Sequence, residues 1–356
     1  MKPLFDGIGK NSKILKSIAD VYRGITQARR RAYDQGIKRY YRLPRPVISV
    51  GNLTVGGTGK TPVVLYLADK LAGWASVSIL SKGYGRKSPR SYLTLHDRRE
   101  LDAKACQIFG DEPVMMAKKL PSNVSIHVGP KRYQLGTMAL DRGPVDLFIL
   151  DDGLQHMELQ RDLDIVLLDG QQDPQKLETL PIGPLREPIE SISHADIVWI
   201  NHCNPDGSHR IDMAWLKEMV PDAVIVKSRF IPGVVVTTDS DFEVNSESIK
   251  SKTLAAFCGI GKPTSFFHTL EEDGLNVKIK KAFPDHHFFT RKELIELQKE
   301  ARLAGCTALI TTEKDAARIN QIPQLDITCY VQKLEIEILD GEEALWEKIG
   351  ESIKLG

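Results

Sequence analysis

Short apolar runs bounded by polar or glycine-rich stretches recur along the first two thirds of the chain: Val47 to Val50, Ser76 to Leu80, Val124 to Val128, Leu147 to Leu150, Ile165 to Leu168, Ile197 to Ile200 and Ala223 to Val226. Runs this short and mainly apolar mark strands buried on both faces. Helical or loop segments separate them, as at Pro62 to Leu71, and strand–helix–strand alternation predicts a doubly wound, mostly parallel α/β sheet. From Ser228 to Ser251 the pattern becomes β-rich and polar, with Pro232-Gly233 ahead of Val234 to Thr237, and α/β alternation resumes at Leu254. The shift places a boundary near Ser228. Residues 1–228 then form a leader and a first lobe, and residues 229–356 a smaller α/β lobe.

A different period governs the leader. Ile14, Leu15, Ile18, Val21, Tyr22, Ile25 and Ala32 recur near helical spacing, with Lys13, Lys16, Arg23, Arg29, Arg30 and Arg31 between them. A basic amphipathic helix follows, with Gly24 as an interruption. Such a helix can lie in the headgroup region of an anionic membrane, and Lys38, Arg39, Arg42 and Arg45 extend the attraction. It can equally dock on the core and leave a solvated basic face.

Composition narrows the classes. The 356 residues, 42% apolar, can bury one large core or two moderate ones. A formal net charge of +1 argues against a generic nucleic-acid coat, although eleven Lys/Arg and only two acids lie between Lys10 and Arg45. Five cysteines without Cys-x-x-Cys spacing suggest neither a zinc site nor a disulfide framework, which fits a reducing compartment. No apolar run approaches the roughly 18 residues of a membrane span, and no secretory h-region with a small-residue cleavage site opens the chain. The expectation is a protein neither exported nor threaded through a membrane.

Chemistry enters at Thr54-Val55-Gly56-Gly57-Thr58-Gly59-Lys60-Thr61, between an apolar strand and an amphipathic stretch. This is a phosphate-binding P-loop: glycines turn backbone N–H groups inward, Lys60 brings a mobile charge and Thr61 offers a hydroxyl to Mg²⁺. Thr54 stands where the usual pattern has glycine. The strand Asp146 to Asp152 ends in two acids, where a P-loop protein places its Mg²⁺-associated carboxylate, so Asp151 or Asp152 is expected to hold the metal. Gln155 and His156 follow at the same strand end. Gly110-Asp111-Glu112-Pro113 precedes a helical run, Val114 to Leu120; Asp111 there reads either as an N-cap or as a base for phosphoryl transfer to a hydroxyl.

In the second lobe, His286-His287 lies just before Thr290 to Glu293, a capping-box start for a helix through Gln298. Thr312 with Asp315 reads as another cap. Gly259-Ile260-Gly261-Lys262 lacks P-loop spacing. In the first lobe, Ser81 to Arg86 and Leu180 to Pro188 are glycine- and proline-shaped loops at strand ends, where open α/β sheets bind ligands. The residues alone also admit a membrane-docked regulatory ATPase or GTPase, or a nucleotide-binding assembly protein.

Taken in order, Ser49 to Pro62, Gly83-Tyr84-Gly85-Arg86, Gly110 to Pro113, Asp151-Asp152-Gly153-Leu154-Gln155-His156, Gly183 to Pro188, Asp285-His286 and Thr312-Glu313-Lys314-Asp315 resemble the tetraacyldisaccharide 4′-kinase family of lipid A biosynthesis. The resemblance implies a P-loop NTPase-like α/β lobe plus a smaller α/β lobe with the active site between them. It implies ATP and Mg²⁺, a tetraacylated disaccharide 1-phosphate phosphorylated on its 4′-hydroxyl, and a peripheral position on the cytosolic face of a Gram-negative inner membrane. Transferred motif by motif, residues 54–61 with Gln155 and His156 surround the nucleotide, and Thr61, Asp151, Asp152 and Glu112 the metal. Asp111 is the base, oriented by His286, with Lys60 on the transferred phosphoryl group. Tyr84, Gly85, Arg132 and Arg186 face the lipid's sugar and phosphate. The family usually carries Arg where Lys82 stands, so charge is kept and a planar fork is lost.

Overall fold

A computed structural model describes residues 13–95, 101, 103–238, 243–319 and 327–353. Lys10 of the basic leader lies outside the described residues. The chain divides into two compact units, one of Met1–Leu80, Lys131–Arg229 and Ile338–Gly356, the other of Ser81–Pro130 and Phe230–Glu337. One break falls next to the boundary expected from the pattern shift. The other breaks are invisible to composition, because they come from pairings between distant segments. Cys106 Sγ donates to Ala317 O (3.0 Å) and Lys119 pairs with Glu313 (2.9 Å), which ties the 81–130 segment to the later residues.

In the first unit, parallel strands run in the order Val224–Thr237, Ile197–Asn201, Leu163–Asp169, Val47–Asn52, Leu147–Asp151 and Val77–Ser81. The P-loop strand Val47–Asn52 is central, flanked by the two strands that end in acids. Every residue of Val47–Asn52, Leu147–Asp151 and Leu163–Asp169 is buried, as expected of strands covered on both faces. One apolar layer gathers Val166, Leu168, Val198, Ile200 and Leu216. Each such side chain contributes about 1.5–3 kcal/mol on full burial.

The second unit has its own parallel strands, Asn276–Ala282, Thr253–Cys258, Ala308–Thr312 and Thr328–Asp340 in spatial order. Leu254, Phe266, Leu270 and Ile310 fill one face; Phe257, Phe289, Leu294 and Leu309 fill the other. Leu93–Leu95 and Val124–Val128 pair antiparallel. Helix starts follow the expected chemistry: Thr290 and Glu293 form a capping box for Arg291–Leu303, and Thr312 accepts from Asp315 N at the start of Glu313–Arg318.

Two local expectations change. The run Ala223 to Val226 is the start of a 14-residue strand, Val224–Thr237, which passes through Pro232-Gly233. Gly233 lets the Glu335 side chain lie close, since a Cβ would sit 2.6 Å from Glu335 Oε1, and its carbonyl accepts from Gln332 Nε2 at 2.7 Å. Gly24 likewise does not interrupt the leader, whose helix Lys13–Asp34 is unbroken, because other residues of that helix hold it onto the unit.

That helix carries two stripes. Leu15, Ala19, Arg30 and Tyr33 are buried. Ile14, Ile18, Val21 and Ile25 lie at 68, 42, 62 and 62% exposure, one contiguous apolar row. No described helix is long and apolar enough to cross a membrane.

Candidate functional site

Two sets of candidate side chains are built independently, one in each unit. The first begins at the P-loop. Gly56 and Gly59 have φ of 108° and 85°, a region that glycine adopts at little cost, and Gly59 leads into the helix Lys60–Ala72. Thr54 is not a defect of the loop. It forms an antiparallel bridge to Leu185, Val55 N donates to Pro184 O (2.8 Å), and Arg186 N donates to Leu53 O (2.7 Å). An extended, paired residue at this position has no use for glycine's freedom.

Asn52 organises the floor of the loop. Its Nδ2 donates to Thr54 O (2.9 Å) and its Oδ1 accepts from Lys60 Nζ (2.9 Å). Lys60 Nζ is also 3.5 Å from Asp152 Oδ1. Arg186 donates to Asp152 through Nη1 (2.9 Å) and Nη2 (2.8 Å), and Nη2 also reaches Asn52. Asp152 sits at φ 52°, an uncommon backbone for a non-glycine, at the turn after its strand. Burial pushes its carboxyl up, but the Arg186 fork and Lys60 outweigh this and hold it at about 2. Asp151 is buried beside it, and Arg132, itself buried, senses both charges. Burial lowers the Arg132 pKa while these two aspartates oppose the change.

Gln155 and His156 join the same strand end by different routes. Gln155 Nε2 donates to Asn52 O (3.0 Å), and its carbonyl accepts from Arg29 of the first helix (3.3 Å). His156 is driven down to about 4 by burial first, then by Arg132, Arg161 and Arg29. It is therefore a neutral imidazole at ordinary pH, and its Nε2 is buried without a hydrogen bond among the described residues. The first helix also reaches the Arg186 loop: Tyr22 donates to Arg186 O (2.8 Å), and buried Arg30 pairs with buried Glu187.

Thr61, Asp151 and Asp152 supply hydroxyl and carboxylate oxygens, the hard donors that Mg²⁺ prefers. No group of three or more His, Cys, Asp or Glu suited to a metal exists among the described residues. Two carboxylates and a hydroxyl are a donor set that Mg²⁺ takes, since it usually binds one or two carboxylates and completes its shell with water and substrate phosphates.

The second set centres on Asp111. The expected cap is corrected: Gly110, at φ 100°, occupies the N-cap, and Asp111 is the first residue of the helix Asp111–Lys119. Its Oδ1 accepts the Glu112 N–H (3.0 Å), and its Oδ2 lies 2.8 Å from His286 Nδ1, which donates to it. Asp111 is 5% exposed. Burial raises its pKa, yet the His286 hydrogen bond, Lys314 and Arg318 prevail and leave it lowered, so the carboxylate is ionised and ready to accept a proton.

His286 is held at φ 60°. Its ring lies 5.6 Å from that of exposed Tyr84, next to Gly85 at φ 75°. Glu112 is engaged by Lys314 Nζ (3.0 Å), which competes with the metal role expected of it. His287 stacks on Phe283 and meets Phe289 edge-on, as a packed aromatic. All five cysteines are buried, and burial raises the thiols of Cys203, Cys306 and Cys258, the last to about 12, which keeps these three protonated at ordinary pH.

The structure brings together Lys60, Asp152 and Arg186, and separately Asp111, His286 and Tyr84, where the sequence reading places Arg186 and Tyr84 together on the acceptor. Sequence reasoning missed Asn52 and Asn201 as P-loop supports and Lys314 and Arg318 as neighbours of Asp111. Asn201 had a readable signal, since it ends a parallel strand where such sheets place ligands.

Comparison with known proteins gives the family. Residues 11–354 match the family described as tetraacyldisaccharide-1-P 4′-kinase. A tetraacyldisaccharide 4′-kinase of Anaeromyxobacter sp. (strain K) is 37% identical over 330 residues, 91% of this chain and 86% of the relative. That of Geobacter sulfurreducens is 34% identical over 339 residues, covering 94% and 93%. A crystal structure of LpxK from Aquifex aeolicus in complex with ATP superposes with a TM-score of 0.77 at 32% identity, covering 95% of this chain and 98% of that one. The chain belongs to the tetraacyldisaccharide 4′-kinase family.

Proposed function

We propose that the chain divides this family's reaction between its two residue sets, the P-loop set holding ATP and the Asp111–His286 pair acting on the acceptor. The reaction is ATP-dependent phosphorylation of the 4′-hydroxyl of tetraacyldisaccharide 1-phosphate. The observation that carries the division is the buried, ionised Asp111 held by His286 at 2.8 Å.

In the transfer, the acceptor oxygen forms a bond to the γ-phosphorus while the bond from that phosphorus to the β,γ-bridging oxygen breaks, and ADP leaves. The hydroxyl proton passes to Asp111 Oδ2 or Oδ1, and the His286 Nδ1–H stays on the carboxylate to fix its direction. Lys60, whose ammonium meets Asn52 at 2.9 Å and stands 3.5 Å from Asp152, has the charge and the flexible stem to serve the γ-phosphoryl oxygens. The P-loop amides between Gly56 and Lys60 bind the phosphates. Thr61, Asp151 and Asp152 would hold Mg²⁺, which would neutralise phosphate charge. Arg132, Arg186, Tyr84 and Gly85 are assigned to the acceptor's sugar and phosphate, with Arg186 first having to release part of its hold on Asp152.

The exposed row Ile14, Ile18, Val21 and Ile25, flanked by Lys13, Lys16 and Arg23, supports a peripheral position on an anionic membrane. We assign it to the cytosolic face of the inner membrane, where a glycolipid acceptor and ATP are both available.

Incubation with ATP, Mg²⁺ and tetraacyldisaccharide 1-phosphate, followed by mass analysis of the lipid, tests the reaction. A lipid gaining one phosphate is expected. ATP hydrolysis with unchanged lipid rejects it.

A further inference from the structure

Thr312 caps a short helix, Glu313–Arg318, that has no part in the chemistry above yet approaches Asp111 directly and His286 through Gly259. Asp315 and Arg318 are completely buried. Arg318 Nη2 donates to Asp315 Oδ1 (2.6 Å) and to Gly259 O (2.9 Å), and Asp315 Oδ1 accepts the Gly259 N–H (2.9 Å). Gly259 is thereby gripped at its N–H and its carbonyl, which belong to the peptide groups on either side of its Cα. The same Gly259 carbonyl accepts the His286 N–H at 3.1 Å, where His286 is in its uncommon backbone state. A Cβ on Gly259 would stand 2.9 Å from Pro284 O and 3.0 Å from His287 Cβ, so the His286 loop is seated directly against that residue.

The helix reaches Asp111 as well. Arg318 Nη1, which has no hydrogen-bond partner among the described residues, lies 3.8 Å from Asp111 Oδ2. Lys314 holds Glu112, the residue after Asp111, and Arg318 Nε donates to Lys314 O (3.1 Å). A fully buried Arg–Asp pair is weak as a stabiliser, because desolvation offsets most of its attraction. It does fix directions. Here its described hydrogen bonds end on Gly259, on its own helix and on the Thr312 cap, and its remaining nitrogen faces Asp111.

We propose that Arg318, seated by Asp315, is a positioning residue for phosphoryl transfer: it sets His286 through Gly259 and Asp111 through its second nitrogen, so that the pair meets at hydrogen-bond distance. This rests on Asp111 and His286 acting in the reaction. Displacement of a base by about 1 Å can cost on the order of 10²-fold in rate.

The test is a double-mutant cycle in the full chain. Arg318→Met is expected to lower kcat about 30-fold or more while KM for ATP stays within about 3-fold. Arg318→Lys should recover only part of the rate, since an ammonium cannot span Gly259 O, Asp315 and Asp111 together. In a His286→Ala background the Arg318→Met loss should shrink to about 3-fold or less. Undiminished loss in that background, or KM for ATP rising as much as kcat falls, overturns the positioning role. If His286→Ala and Asp111→Ala leave kcat intact, the assignment of the pair itself fails instead. Should Arg318→Met not fold, Lys314→Met on the same helix carries the cycle, with the same expected non-additivity and the same overturning result.

Discussion

Arg186 holds Asp152 through a two-pronged contact, Nη1 at 2.9 Å and Nη2 at 2.8 Å, while Lys60 waits 3.5 Å from the same carboxylate. Two cations on one acid form an unequal competition, and the planar fork wins it. Arg186→Lys removes the fork and leaves a point charge that cannot also reach Asn52. Lys60 is then drawn closer to Asp152 and away from phosphate. KM for ATP is expected to rise about 10-fold, one charge-assisted hydrogen bond's worth. Titration with a non-hydrolysable ATP analogue measures it, and unaltered affinity would remove this role.

The P-loop is also held from beneath. Asn201, fully buried, donates from Nδ2 to Thr58 O (2.7 Å) and accepts from Ser228 Oγ (2.5 Å), which in turn accepts from Trp199 Nε1 (2.9 Å). Asn201→Ala strands two buried polar groups at once. A loss of about 2 kcal/mol or more is expected in urea unfolding, together with weaker nucleotide binding as the loop loosens. Asn201→Asp should be worse for nucleotide binding, because its carboxylate meets the Thr58 carbonyl and adds negative charge under the phosphate site. Equal affinity in both variants would show that the loop does not depend on this support.

Glycine at position 51 follows from packing against the strand end at Asp151. A Cβ there would stand 2.6 Å from Leu154 Cβ and 2.7 Å from Leu154 N, backbone that cannot yield without moving the Asp151–His156 turn. Gly51→Ala is expected to cost about 1–3 kcal/mol and to reduce ATP binding. Gly143→Ala, with nothing within 4 Å, is the control and should change neither. Calorimetric melting of both variants decides it.

His156 gives an acid-sensitive stability. Its pKa falls from 6.5 to about 4 on folding, so between those values the unfolded chain binds the proton more readily than the folded one. The contribution is complete above pH 6.5 and is lost progressively as pH falls towards 4. His156→Gln should flatten the decline of melting temperature between pH 7 and pH 4.5. A slope identical to that of the unaltered chain would mean that other groups carry the acid response.

Much of this was written in the pattern. The buried strands, the P-loop and the paired acids are local in sequence and announce themselves by run length and residue type. Helix caps at Thr290 and Thr312 were equally legible, because the cap bonds span only three residues. Contacts over long separations were not. Nothing near Ser81–Pro130 signals that Cys106 meets Ala317, and nothing near Arg318 signals that its guanidinium approaches Asp111, 207 positions earlier by number (318 − 111). The capping expectation at Asp111 failed by one residue, since Gly110 supplies the positive φ that lets the chain turn into the helix. Thr54 was puzzling in sequence because its partner, Leu185, lies in another loop.

The exposed row on the first helix yields the sharpest membrane test. Deleting the helix would be ambiguous, because Tyr22, Arg29 and Arg30 bond to Arg186, Gln155 and Glu187 and the deletion would disturb the nucleotide loops as well. Substituting the row alone separates the two effects. Ile18, Val21 and Ile25 face outward, and each contributes up to about 1.5–3 kcal/mol when its side chain enters an apolar layer. Ile18→Ser, Val21→Ser and Ile25→Ser together should weaken sedimentation with phosphatidylglycerol-containing vesicles by about 100-fold or more. Melting temperature should hold within a few degrees, and the rate on a detergent-dispersed acceptor should hold too. Leu15→Ser, on the docked stripe at 3% exposure, should do the reverse, lowering stability with little effect on vesicle binding. If the triple variant still binds vesicles as the unaltered chain does, the row is an ordinary solvent face and the membrane must be met elsewhere.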